Sequence, residues 1–129
     1  MDIKDIGKKI VIVPCRDNFF RWWFEILKPI HHLTNRESDV IAAFVEKRFE
    51  LSKSITDPDI LDSVLMQESC KKEIREMAMV TPAFFQVIMG KLKKNDVIKD
   101  GKINPKYIPP LKVTGDNCAL IFLFKNEST

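Results

Sequence analysis

Between Cys70 and Ile103 the stretch CKKEIREMAMVTPAFFQVIMGKLKKNDVIKDGKI leaves few folds open, because start, stop and turn signals follow one another without a gap. Thr81 is a suitable N-cap, and Pro82 stands at the first helical position, where its missing N–H costs nothing. Phe85, Ile88 and Leu92 recur at spacings of three and four, so the helix that begins there has one buried stripe. Val97 and Ile98 lead into Lys99-Asp100-Gly101-Lys102, and Asp-Gly between two short runs predicts a tight β-hairpin. A helix, a turn, a longer helix and a hairpin are expected in immediate succession.

The chain before this stretch reads as helical. Thr34 followed by Glu37 is a capping box, and it opens a helix from Asn35 to about Leu51. Val40, Ile41, Phe44 and Val45 form its inner stripe, while Arg36, Glu46, Lys47 and Glu50 take the wetter side. Asp57-Pro58 starts a further helix by the same logic, with Ile60, Leu61, Val64 and Leu65 expected to face inward. Ser69 is the expected cap of the short helix that carries Ile74 and Met77.

Both ends of the chain are β-prone. KIVIVP, from Lys9 to Pro14, and ALIFLF, from Ala119 to Phe124, are expected as neighbouring strands, with TGDN at Thr114 to Asn117 turning the chain between Leu111–Thr114 and the last strand. Asn104 to Tyr107 predicts a short turn, in which Tyr107 either packs against the core or stacks on a base, and Pro109-Pro110 makes a stiff connector. At 129 residues and 15.0 kDa the chain suits one core, so residues 1–129 are expected to form a single α+β domain.

NFFRWWFEILKPIHH concentrates Phe19, Phe20, Trp22, Trp23 and Phe24 in one helical stretch. A small domain has difficulty burying so many rings, which leaves two readings: part of the cluster meets another subunit with Arg21 at the rim, or all of it anchors the core. His31 and His32 are adjacent and cannot share one face of a regular element, so a polar junction between helices is expected rather than a metal or acid–base pair. Cys15, Cys70 and Cys118 are odd in number and far apart, which argues against a disulfide framework or a zinc site. Neither a secretory leader nor a membrane span is expected, and a reducing cytoplasm, including that of an infected host cell, is the expected compartment. Phosphate-loop, G-x-S-x-G and H-E-x-x-H motifs are all missing from the sequence, so no catalytic residue, cofactor or metal is assigned and the chain is expected not to be an enzyme.

The segment KEIREMAMVTPAFFQVIMGKLKKNDVI resembles the winged helix-turn-helix family, in which a short helix, a turn and a Ser/Thr-Pro start precede a recognition helix and the first wing strand. INPKYI, residues 103 to 108, is similar to the segment after the wing in some plasmid and phage replication initiators, and LTNRESDVIAAFV, Leu33 to Val45, is similar to the family's first helix. The resemblance covers about thirty-five residues, or about seventy with that first helix. It implies a winged-helix-like core with a β-hairpin wing, extended here by the small sheet of the termini. Two positions depart from the pattern. The site of Arg75 is usually small where the two helices cross, and that of Met79 is usually glycine, so the resemblance implies an opened or rotated crossing.

Carried over to this chain, the groove-facing residues of a DNA-reading member would be Ala83, Phe84, Gln86, Val87 and Gly90. Only Gln86 among them makes the bidentate hydrogen bond that distinguishes base pairs. As a whole the chain also resembles the small connector or ring proteins of crAss-like tailed phages. This implies a structural virion protein, assembled in the host cytoplasm, that joins portal, capsid or tail components in a symmetric multicopy assembly. Its expected protein-contact residues are Phe20, Trp22, Trp23, Phe84, Val87 and Met89. The alternative is a DNA-binding protein of transcription or replication initiation, using Gln86, Lys91, Lys94, Lys99 and Lys102, with Lys93 alongside. The formal charge of +3 permits nonspecific DNA contact without requiring it.

Overall fold

The computed structural model describes residues 8–14, 19–109, 111–114 and 117–123. They divide into two compact units, Met1–Phe19 with Pro109–Thr129, and Phe20–Ile108.

The first unit is an antiparallel sheet of order β1-β5-β4, made from β1 (Lys8–Pro14), β4 (Leu111–Thr114) and β5 (Asn117–Leu123). Lys8 pairs with Leu123 and Pro14 with Asn117 along one edge of β5, and Leu111 with Leu120 and Thr114 with Asn117 along the other. The two ends of the chain are therefore neighbouring strands, as their β-prone composition predicts. Cys15, Pro110, Phe124 and the middle of the TGDN turn lie outside the described residues.

The second unit is mostly helical: α1 (Phe19–Ile26), α2 (Lys28–His31), α3 (Asn35–Ser52), α4 (Pro58–Leu65), α5 (Glu68–Ala78) and α6 (Pro82–Lys94), followed by the hairpin β2 (Ile98–Lys99) and β3 (Lys102–Ile103) and a 3₁₀ turn at Pro105–Tyr107. Three helix starts follow the expected side-chain chemistry. Thr34 and Glu37 make the reciprocal capping box of α3, the Asp57 carboxylate accepts the N–H groups of Asp59 and Ile60, and the Thr81 hydroxyl accepts that of Phe84 at 3.2 Å. α5 differs. It begins at Glu68 after Gln67, which makes no side-chain cap, so Ser69 lies inside the helix instead of capping it.

α3 is the centre of this unit and packs on α4, α5 and α6. Val40, Ile41, Ala42, Ala43, Phe44 and Val45 are all buried. The Phe44 ring stacks on Phe85 of α6, with centroids 6.0 Å apart and planes at 20°. Ile74 of α5, Ile88 and Leu92 of α6, and Ile103 of the hairpin complete the core. α4 contributes Leu61 and Leu65, one turn apart, but Ile60 is 55% exposed and Val64 only half-buried. Met77 is likewise turned outward at 40%. Both helices are short and touch α3 along one narrow stripe, so an apolar residue about 100° away from that stripe stays in water.

The turns between these elements use left-handed residues. Met79 closes α5 at φ 56° and ψ 48°, its N–H bonded to the Glu76 carbonyl at 3.2 Å and the Val80 N–H to the Arg75 carbonyl at 3.1 Å. Glycine is the usual residue in such a motif, and methionine carries its Cβ at a steric cost. Arg75, the second large residue at this crossing, lays its guanidinium 5.5 Å from the Phe85 ring centroid and donates to Glu68 at 2.9 Å. A large side chain, only 15% exposed, is thereby held between α6 and the start of its own helix. Asp100 (φ 56°) and Gly101 (φ 75°) supply the two consecutive positive φ values of a tight hairpin turn, as Asp-Gly predicts.

The aromatic stretch divides between inside and outside. Phe24 is fully buried, Phe20 lies 5.5 Å from the Phe49 ring, and the Trp23 indole N–H donates to the Tyr107 carbonyl at 2.9 Å. Tyr107 is a core residue, which removes it from base stacking. His31 is also buried: its Nε2 hydrogen-bonds the Phe24 carbonyl at 2.7 Å and its Nδ1 accepts the Leu33 N–H at 2.9 Å. The Nε2–H tautomer satisfies both bonds, so His31 is a buried polar junction between α1 and the segment that leads into α3.

Two consequences are testable. Met79 is 83% exposed, so Met79→Gly removes Cβ strain with little loss of packing and is expected to stabilise the protein by about 1 kcal/mol or less, read as a higher urea midpoint. Burial holds the His31 imidazolium below its ordinary value of 6.5, because charging it also sets Nδ1–H against the Leu33 N–H. The unfolded chain takes up that proton first as pH falls. The His31 contribution is therefore complete above about pH 6.5 and is lost progressively below it. Urea midpoints should drop from about pH 7 to pH 5 in the native protein, and His31→Leu, less stable by about 1–3 kcal/mol, should lose most of that dependence.

Candidate interaction face

α6 offers two faces of opposite character. Phe85, Ile88, Met89 and Leu92 point into the core, as the spacing of three and four requires. The outer face carries Ala83, Phe84, Gln86, Val87, Gly90, Lys91 and Lys94, all exposed, with Phe84 at 43% and Val87 at 58%. Phe84, Val87, Lys91 and Lys94 follow spacings of three, four and three, which line them up along the helix. Its N-terminal half is apolar and its C-terminal half is cationic.

The interaction residues expected from sequence are thereby separated. Phe84 and Val87 stand together on this face, and Trp22 is exposed at 44% on α1. Phe20, Trp23 and Met89 are buried within the unit, so a partner could reach them only by opening its core. Arg21 is not a free rim residue either. It donates to Asp39 at 2.7 Å and to Glu25 at 2.5 Å, and Asp39 in turn accepts from Arg36 at 3.0 Å. Arg36 also donates to the Met79 carbonyl at 2.8 Å, which ties the α5–α6 turn to the start of α3 and sets where the outer face begins.

The lysines proposed for phosphate contact are all exposed: Lys91, Lys93 and Lys94 at the end of α6, and Lys99 and Lys102 opposite each other on the hairpin. Among the described residues none of them is in an ion pair, in contrast to Arg21, Arg36, Lys47, Arg48 and Arg75. Carboxylates interrupt the cationic surface at the hairpin, however. Lys102 shares a cleft with Asp59, Asp62, Ser63, Asp100 and Gly101. Among the described residues only Asp62 of these acids is in an ion pair, with Arg48 at 3.0 Å.

Sequence patterning placed Ile60 on the inner face of α4, where the structure shows it 55% exposed, and did not single out the acidic rim of that helix. The available signal was the Leu61–Leu65 pair, one turn apart, which sets the inner face of an eight-residue helix and leaves Ile60 and Asp59 outside. Among the described residues no group of three or more His, Cys, Asp or Glu side chains could hold a metal, and no helix is long and apolar enough to cross a membrane. No family model, curated protein or solved structure matches the chain.

Gly90 is unusual on this face. It lies inside a helix with an ordinary backbone, and a Cβ built on it meets nothing of this chain within 4 Å. Glycine there costs about 1 kcal/mol relative to alanine. Gly90→Ala is expected to recover most of that amount in chemical denaturation, and a loss of stability would mean that the site is more crowded than its geometry indicates.

Proposed function

We propose that this chain is a structural assembly protein, a connector or ring component between portal or capsid and tail of a tailed-phage virion, that holds repeated protein neighbours through a winged-helix-like body. The order α5, turn, α6, hairpin supports the winged-helix description, and the resemblance to crAss-like connector and ring proteins supports the virion role. One observation carries the choice of protein over DNA: in the N-terminal half of the helix that would enter a groove, the exposed side chains after Pro82 are Ala83, Phe84, Gln86 and Val87, with Gln86 as the one amide and the lysines confined to the C-terminal half. Base-pair discrimination needs hydrogen-bonding side chains at such positions, whereas an exposed aromatic and an exposed branched aliphatic side chain suit a desolvated protein contact.

DNA binding is the second reading, favoured by the lysines of α6 and the hairpin that lack ion-pair partners among the described residues. Such lysines contact phosphate without reading sequence. Asp59 and Asp100 beside Lys102 oppose phosphate at the hairpin end. Fluorescence anisotropy with duplexes of unrelated sequence separates the readings. For an assembly protein, binding is weak, indifferent to sequence and lost as salt rises to physiological levels. Sequence-selective binding at physiological salt, relaxed by Gln86→Ala, would establish the DNA reading instead. In the native particle Phe84 and Val87 should lose their solvent exposure, which side-chain footprinting measures directly.

A further inference from the structure

The outer face of α6 has a chemical complement elsewhere on the same chain. The outer face of α4 carries Asp59, Ile60 and Ser63, all exposed, with Ile60 at 55%. Asp57 stands at its N-cap, and Asp59 makes no ion pair among the described residues. The cleft lined by Asp59, Asp62, Ser63, Asp100, Gly101 and Lys102 adjoins this face; among the described residues Arg48 neutralises Asp62, which leaves Asp59 and Asp100 against the single cation of Lys102. α6 presents an aromatic and an aliphatic side chain followed by two cations without ion-pair partners among the described residues, while α4 presents an aliphatic side chain beside carboxylates.

Building on the assembly role, we propose that the outer face of α6 docks on the outer face of α4 of a second copy of this chain. Ile60 of one copy packs between Phe84 and Val87 of the other, and Lys91 and Lys94 face Asp59 and the acidic cleft. The lengths agree. An eight-residue helix is about 12 Å long, and the rise from Phe84 to Lys91 is about 10 Å. Small residues lie in the middle of both surfaces, Gly90 on α6 and Ser63 on α4, which allows the two helices to approach closely. This gives Gly90 a use that its own chain does not supply.

The two surfaces belong to different helices, so each copy offers one face to one neighbour and the other face to the next. Such a head-to-tail contact propagates into a closed ring when the rotation closes, and into a filament when it does not. An acidic helix of another virion protein, or duplex DNA, would use the α6 face alone and leave α4 uninvolved.

Sedimentation velocity of the full chain over a concentration series, at low and high salt, tests the docking. The native chain should self-associate, and salt should weaken the association. Lys91→Glu with Lys94→Glu, and separately Asp59→Arg, should each weaken it about tenfold or more, with unchanged circular dichroism and a thermal midpoint lowered only slightly by the reversed charges at the helix ends. Mixing the two variants should restore association, because the reversed α6 of one meets the reversed α4 of the other and both remaining native faces also match.

A native chain that stays monomeric at every concentration overturns the self-docking. So does a loss on α6 reversal without a loss on Asp59→Arg, or a mixture that fails to recover. None of these outcomes removes the assembly role itself, which stands or falls on the burial of Phe84 and Val87 in the native particle.

Discussion

Val40 to Val45 lie buried without interruption in the middle of α3. Such a run exceeds one helical turn, so no single neighbour can cover it and the helix needs packing on every side. α4, α5 and α6 supply that packing, and the Phe44–Phe85 stack determines which face of α6 is spent on it. The outer face of α6 is what remains. Its composition is therefore free of the core's demands, and Phe84, Val87 and Gly90 need an explanation outside this unit.

Local chemistry was legible in the sequence. Caps at Thr34, Asp57 and Thr81 and the Asp-Gly hairpin depend on residues within a few positions of one another, and each forms the structure its side chains favour. The pairing of the two chain ends was legible for a coarser reason: two β-prone runs in a helical chain each need a partner strand. The facing of short helices was not. Ile60 and Met77 fit an apolar pattern as well as their neighbours do, and only the position of α3 decides that they point outward. Likewise Trp22 and Trp23 are equivalent by composition. Trp23 is distinguished by the Tyr107 carbonyl, which reaches it across 84 residues of sequence.

The two departures from the winged-helix pattern that the sequence resembles were legible as departures, and the structure shows where each side chain goes. Met79 takes the left-handed conformation that glycine usually fills, with its side chain directed to solvent and its carbonyl held by Arg36. Arg75 places its guanidinium 5.5 Å from the Phe85 ring centroid and donates to Glu68. Met79 is tolerated because its bulk points to solvent, and Arg75 because Phe85 and Glu68 both give its guanidinium a partner. The strain stays local, and the order of helix, turn and helix is retained.

Charge decides what the remaining surface can attract. A phosphate backbone asks for cations along the whole path of contact, including the hairpin, and Asp59 and Asp100 stand beside Lys102 where that path would continue. A protein neighbour asks for something different: a small apolar centre that can be desolvated, with charges at the edge where they remain partly hydrated and set orientation. Phe84 and Val87 followed by Lys91 and Lys94 have that order along one helix. In the assembly role we propose, the order of side chains that leaves α6 one base-reading amide serves as a directional contact, apolar at one end and cationic at the other, and a directional contact is what a repeating assembly requires.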